Sequence, residues 1–303
     1  MQRIIIVKWL FTSLPLTLAL IVTLPVGALL YVSQAPIQTD PIQLEQMQPG
    51  TGENNPAEEN SVGKVLTKPQ ISQQSREGIP DFAAYADVRQ KKRAFFEFLL
   101  PLIREANTNI RNDRVVLEDM VAKLDRSETL TTGEHQRLNK LFRQYRFEAP
   151  VEVQAVDIEG LLERVDIVPA SLVLAQAANE SGWGTSRFAT QANNYFGIWC
   201  FTTGCGVEPM NREDGMTHEV ALYRTVQEGV SAYIHNINTH RAYEVLRMIR
   251  AEQRYSQNHY MGFQLAGGLM HYSARGEEYI LEIQQMIRTN NLHEYTLPAL
   301  TSA

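Results

Sequence analysis

The chain has 303 residues, 44% of them hydrophobic and 20% charged, with a formal net charge of -6. That length and composition suit one or two ordinary cores that need no staples. The acidic balance gives no broad electrostatic case for nucleic acid, whose phosphates require a basic face, and two cysteines are too few for a disulfide scaffold.

Arg3 and Lys8 precede an uncharged, mostly apolar run from Trp9 to Val32. The run exceeds the roughly 20 apolar residues that a membrane helix needs and the roughly 7–15 of a cleavable signal core. Ser33-Gln34-Ala35 has the small-residue spacing of a cleavage site, but Pro36 follows it. The sequence therefore predicts residues 1–35 as a membrane anchor, in preference to a cleaved signal. The leading positive charges keep the N-terminus inside and send the remainder outward. Residues 36–80 are rich in Gln, Glu, Pro, Asn and Ser. Such a stretch buries too little apolar surface to offset its ordering entropy, so it reads as a flexible tether.

From Asp81 the pattern turns helical. Phe95, Phe96, Phe98, Leu99, Leu100, Leu102 and Ile103 form a dense apolar cluster with Pro101 as a candidate kink, and helical spacing continues through Leu124. Thr131-Thr132-Gly133-Glu134 has the form of a capping box. Residues 81–156 are expected to form an α-helical subdomain. A further helical stretch begins near Asp157, and another follows Pro169 and ends at Gly182. Residues 188–223, with many aromatics, Gly and Asn, are expected as loops and short strands. Helices are expected again at about 225–237, 243–253, 264–272 and 277–290, ahead of a tail at 296–303.

The chemistry concentrates at Ala177-Ala178-Asn179-Glu180-Ser181-Gly182-Trp183-Gly184. Spacings of three and four put Val173, Gln176 and Glu180 on one face. A carboxylate at a helix C-terminus meets the negative end of the dipole, and burial near Trp183 pushes the same way, towards the protonated form. A carboxylic acid near neutral pH is what glycoside cleavage needs to protonate the leaving oxygen. Downstream, Asn193-Asn194-Tyr195-Phe196-Gly197-Ile198-Trp199 sets aromatic faces, which can stack on sugars, beside amides, which can bond to hydroxyl and acetamido groups.

Glu180-Ser181-Gly182-Trp183-Gly184 followed by Asn193-Asn194-Tyr195-Phe196-Gly197-Ile198 resembles the glucosaminidase domain of bacterial cell-wall hydrolases, glycoside hydrolase family 73, and within it the Bax-like group. His218-Glu219-Val220-Ala221-Leu222-Tyr223, Asn236–Tyr243 and Leu269–Tyr279 continue the pattern. The resemblance covers residues 157–293, and its Bax-like part reaches back to Asp81. It implies a mostly helical α+β, lysozyme-like fold with a small β-lobe, a catalytic domain over 157–295, and peptidoglycan glycan strands as substrate. It assigns the catalytic acid to Glu180 and an active-site tyrosine to Tyr272. Gln176, Trp183, Asn194, Tyr195, Phe196 and Trp199 are expected to meet substrate.

The second carboxylate is not fixed by a strict motif. Glu208, Glu213, Asp214 and Glu219 lie in the right region, with Glu219 preferred, and the substrate's own acetamido group is an alternative to all four. Cys200 and Cys205 are expected to pair in an oxidising periplasm; a zinc site with His218 lacks a fourth ligand. No cofactor is implied. A lytic transglycosylase and a non-catalytic glycan-binding scaffold are the competing readings. Neither a His-Glu-x-x-His nor a Gly-x-Ser-x-Gly element is present.

Overall fold

The computed structural model describes residues 78–210, 212, 215–256 and 261–296. The expected anchor, nearly all of the expected tether and the tail beyond residue 296 lie outside the described residues. Among the described residues no helix is long and apolar enough to cross a membrane.

The fold is built on two helices that differ in how they are covered. Helix α1, Val88–Asp125, starts where the Asp87 carboxylate accepts from the Gln90 amide at 2.9 Å. It runs through Pro101 without interruption. Its stripe of Phe95, Phe96, Leu99, Ile103, Ile110, Leu117 and Met120 is buried at helical spacing. That stripe packs on α3 (Ala155–Leu162), α4 (Ala170–Ser181) and α6 (Val226–Thr239). Helix α2, Thr132–Gln144, carries the expected capping box, with Thr131 and Glu134 bonded reciprocally.

Helix α4 is covered on all sides. Every residue from Ala170 to Ala178 is buried. Burying a Leu or Val contributes roughly 1.5–3 kcal/mol each, so this segment is the centre of the core. Asn107 of α1 holds its entry: the side chain accepts from the Val168 amide at 3.1 Å and donates to the Val168 carbonyl at 2.8 Å. The region 81–156 and the region that follows it thus share one continuous hydrophobic core, running from Phe82 to Leu292.

A buried ionic hub lies beside the entry to α4, at Asp166. Asp166 is 3% exposed and faces Arg114, Arg250 and Arg254, the last at 2.5 Å. Burial works against the Asp166 carboxylate, but these arginines outweigh it and hold its pKa below the usual range. A cavity borders this hub. Its arginines are engaged by Asp166 and by the carbonyls of Leu162, Glu163, Val165 and Ile167.

The sheet is small. Strands β1 (Trp199–Cys200), β2 (Gly206–Val207) and β3 (Glu219–Ala221) are antiparallel in the order β1-β3-β2. A side chain on Gly206 would lie 2.0 Å from the Val220 carbonyl oxygen, so only glycine allows this pairing.

Two expectations change. The segment expected as loops and strands contains a short helix, α5 (Arg187–Ala192), started by the Ser186 side chain. The helix expected over 264–272 is only α8 (Gly262–Leu265) and a 3-10 turn, Ala266–Gly268. Here the chain abuts α7 (Glu244–Tyr255) so closely that a Cβ on Gly268 would sit 2.4 Å from Leu246 backbone. Helix α9, Glu277–Thr289, follows.

Candidate active site

Glu180 lies one residue before the end of α4. The chain then leaves the helix through three consecutive residues of positive φ: Gly182 (55°), Trp183 (61°) and Gly184 (78°). Ser181 stabilises this exit. Its hydroxyl donates to the Ala177 carbonyl at 2.6 Å and accepts from the Gly184 amide at 2.8 Å. Gly184 also lies against Phe82, whose ring would be 2.3 Å from an added Cβ. The Glu-Ser-Gly-Trp-Gly run is therefore a device for turning the chain sharply while holding the carboxylate at the helix end.

The Glu180 carboxyl group is partly buried. Burial raises its pKa above the usual carboxylate range, against hydrogen bonds from Tyr279 and Asn179 and the charge of Arg275. The Tyr279 hydroxyl donates to Oε1 at 2.7 Å. Tyr279 comes from α9, and 99 residues separate it from Glu180 in the chain. The Gln176 amide donates to the Tyr279 hydroxyl at 2.9 Å, and the Tyr233 hydroxyl donates to the Gln176 carbonyl oxygen. On the other side of the carboxyl group, a Cβ on Gly197 would stand 3.9 Å from Oε2.

Tyr272 stacks on Tyr279, with ring centres 5.3 Å apart and planes 9° apart. Its hydroxyl donates to the Phe196 carbonyl at 2.9 Å. Burial pushes the phenols of Tyr233, Tyr272 and Tyr279 well above their ordinary value, so all three are neutral donors.

Several residues expected to meet substrate are turned inward. Asn194 is 1% exposed: it donates to the Ile198 and Ala221 carbonyls, each at 2.9 Å, and accepts from the Phe196 and Ile198 amides. It is the clamp of the turn that carries Gly197. Phe196 is buried and stacks on Tyr233 with centres 4.0 Å apart; Tyr195 is buried between Phe95 and Phe98. Gln176 is fully buried and touches the Glu180 carboxylate only through Tyr279. Asn194 is held inside by the backbone groups of the turn that it satisfies, whereas Gln176 pairs with two phenols and Tyr195 and Phe196 pack on rings. Trp183 is partly exposed, packed edge-on against Phe95 and Phe96 with the Lys92 ammonium above its ring. Trp199 is the open one, 47% exposed, with one face stacked on His218 at 4.3 Å.

Glu219 is 8% exposed on β3. Its two oxygens accept from the amides of Gly204 (3.0 Å) and Gly206 (2.7 Å). Cys200 and Cys205 are joined in a disulfide across the same hairpin, with Cα atoms 6.3 Å apart. Among the described residues, the cysteine sulfurs and the Glu219 carboxylate are the one grouping close enough to suggest a metal, but bonded sulfurs offer no thiolate.

The glucosaminidase family, described as mannosyl-glycoprotein endo-beta-N-acetylglucosaminidase, matches residues 157–292. Protein bax of Escherichia coli (strain K12) is 32% identical over 218 residues, 71% of this chain and 76% of that protein. The chain belongs to the Bax-like glucosaminidase family. The mostly helical, lysozyme-like α+β fold and its small sheet agree with that membership. The family domain contains Glu180, Tyr272 and Tyr279, and it is a glycosidase domain. Helices α1 and α2 precede it, and similarity to the Bax relative extends over more residues than the domain itself spans. No solved structure matches the chain.

Proposed function

We propose that the protein is an endo-β-N-acetylglucosaminidase that cleaves peptidoglycan glycan strands, with Glu180 as the general acid. One observation carries this reading: a partly buried carboxyl group of raised pKa, tethered at one oxygen by Tyr279 and bordered at the other by a glycine. Burial favours the protonated form of such a group, which is the form that gives a proton to the departing glycosidic oxygen. Tyr272 braces the backbone of Phe196, next to Gly197, and so supports the site. Trp199 is the sugar-stacking contact, through the face that His218 leaves open.

In this reading Glu219 shapes the β-lobe, because both of its oxygens already accept backbone bonds. The second half of the reaction then falls to the acetamido group of the sugar, to Glu208, which is exposed and paired with Arg212 at 2.9 Å, or to Glu213 or Asp214, which lie outside the described residues. The N-terminal segment anchors the chain in the inner membrane with the folded part in the periplasm, where the Cys200–Cys205 disulfide is stable.

The same observation favours one rival. A single acid with an engaged Glu219 also suits a lytic transglycosylase. The deciding experiment incubates the detergent-solubilised full-length chain with peptidoglycan beside Glu180→Gln. New reducing N-acetylglucosamine ends, absent with the variant, are expected. Anhydro-muramyl ends would make it a transglycosylase, and binding without release by the unaltered chain would make it a scaffold.

A further inference from the structure

The phenols behind Glu180 form a directed chain. A tyrosine hydroxyl has one hydrogen to give, while a glutamine amide gives from nitrogen and accepts at oxygen. Tyr233 donates to the Gln176 carbonyl oxygen, which leaves the Gln176 nitrogen pointing at Tyr279. The Tyr279 oxygen is thereby occupied as an acceptor, and its single hydrogen goes to Oε1 of Glu180. Gln176 and Tyr233 are both fully buried, so no solvent competes for these bonds.

We propose that Tyr233, Gln176 and Tyr279 form a positioning relay that keeps Oε1 of Glu180 an acceptor and so places the acid proton on Oε2, beside Gly197. This rests on the proposed role of Glu180 and adds to it the oxygen that acts. An acid with two equivalent oxygens would present its proton to solvent and to protein alternately. The relay removes one of the two choices. The missing side chain at Gly197 leaves room beside the chosen one. When Oε2 gives its proton to the leaving oxygen, the bond from oxygen to hydrogen breaks and the carboxylate becomes an anion. The hydrogen bond from Tyr279 is then a bond to a charged acceptor and strengthens, so it stabilises the state in which the bond to the sugar is breaking. Gln176 and Tyr233 touch neither the carboxyl group nor the reacting atoms; they set the polarity of Tyr279. The other groups acting on Glu180 are Asn179 beside it, Arg275 and Glu282 from the α9 side, and the neutral phenols of Tyr243 and Tyr272, and the variants below leave all five in place.

The test titrates the Glu180 carboxyl carbon by NMR in the full-length chain carrying 13C-labelled glutamate, with Glu180→Gln identifying the resonance. Tyr279→Phe removes one oxygen and keeps the ring. The Glu180 midpoint is expected to rise, because the anion loses a donor, and kcat on peptidoglycan to fall about tenfold with KM nearly unchanged. The alkaline limb of the pH profile should move up with the midpoint. Tyr233→Phe should produce a smaller rise in the same direction, since Gln176 is then free to turn, and it serves in place of Tyr279→Phe if that variant does not fold. An unmoved midpoint overturns the relay. A falling midpoint overturns it too, since it would mean that Glu180 donates to Tyr279 and the polarity is reversed. A rise in a protein that cuts no glycan sustains the relay and removes the proposed function; cutting with an unmoved midpoint does the opposite.

Discussion

The end of α4 and the β-lobe each hold a glutamate at a strand or helix end, and the two are treated in opposite ways. Glu180 has a phenol on one oxygen, and the other borders a glycine. Glu219 has a backbone amide on each oxygen, both in one hairpin that a disulfide also ties. The first arrangement leaves a carboxyl group that can exchange a proton; the second uses a carboxylate as a brace for backbone that forms only two or three residues of strand. Residue type and proximity to a sequence motif do not distinguish the two. The identity of the donors does.

The contrast can be broken most sharply at Glu180. Glu180→Gln should lower glycan cleavage by about 10²–10⁴-fold with an unchanged circular dichroism spectrum; retention of activity would remove Glu180 as the acid. The next largest effect is on stability. Gly184→Ala puts a Cβ into the Phe82 ring at a positive φ of 78°, and urea unfolding should show a loss of roughly 2–4 kcal/mol. Glu219→Gln turns one acceptor into a donor facing a backbone amide, and should cost about 1–3 kcal/mol. Its activity should return on cooling, whereas that of Glu180→Gln should not. If Glu219→Gln instead abolishes cleavage with stability intact, the two glutamates are partners and the contrast fails. Replacing both cysteines by serine should cost about 2 kcal/mol or less, because the closed loop is short.

The smallest effect concerns pH. Burial lifts the folded-state pKa of Glu180 above its unfolded value. Its protonated form therefore favours folding at low pH, and that contribution is lost as pH rises through the folded-state pKa. Thermal melts should show Glu180→Gln gaining on the unaltered chain from the usual carboxylate range upward, and no gain below it.

Much of this was legible in the sequence where the signal is local. The α2 capping box, the helix ending at Gly182 and the carboxylate at its end all follow from neighbours within four residues. Helix α5 did not, because six residues are too few to show a period and its Ser186 cap sits within a run rich in loop formers. The glutamine and asparagine beside the site were expected to meet sugar, and are instead internal connectors. An amide serves both uses equally well, and only burial separates them. Tyr279 stood in the matching segment after Tyr272, but nothing in its spacing points to Glu180. Its role depends on α9 crossing α4.

The core shared by α1 and α4 bears on what can be moved between proteins. Residues 157–292 are the part that matches a family, yet Phe95 and Phe96 seal Trp183, and Asn107 holds the strand-like entry to α4. Excising the matched segment would strip α3, α4 and α6 of their cover and leave a wide apolar face open to water. The inheritable module and the folding unit have different borders here, and a graft or truncation should be cut at the second, before Phe82.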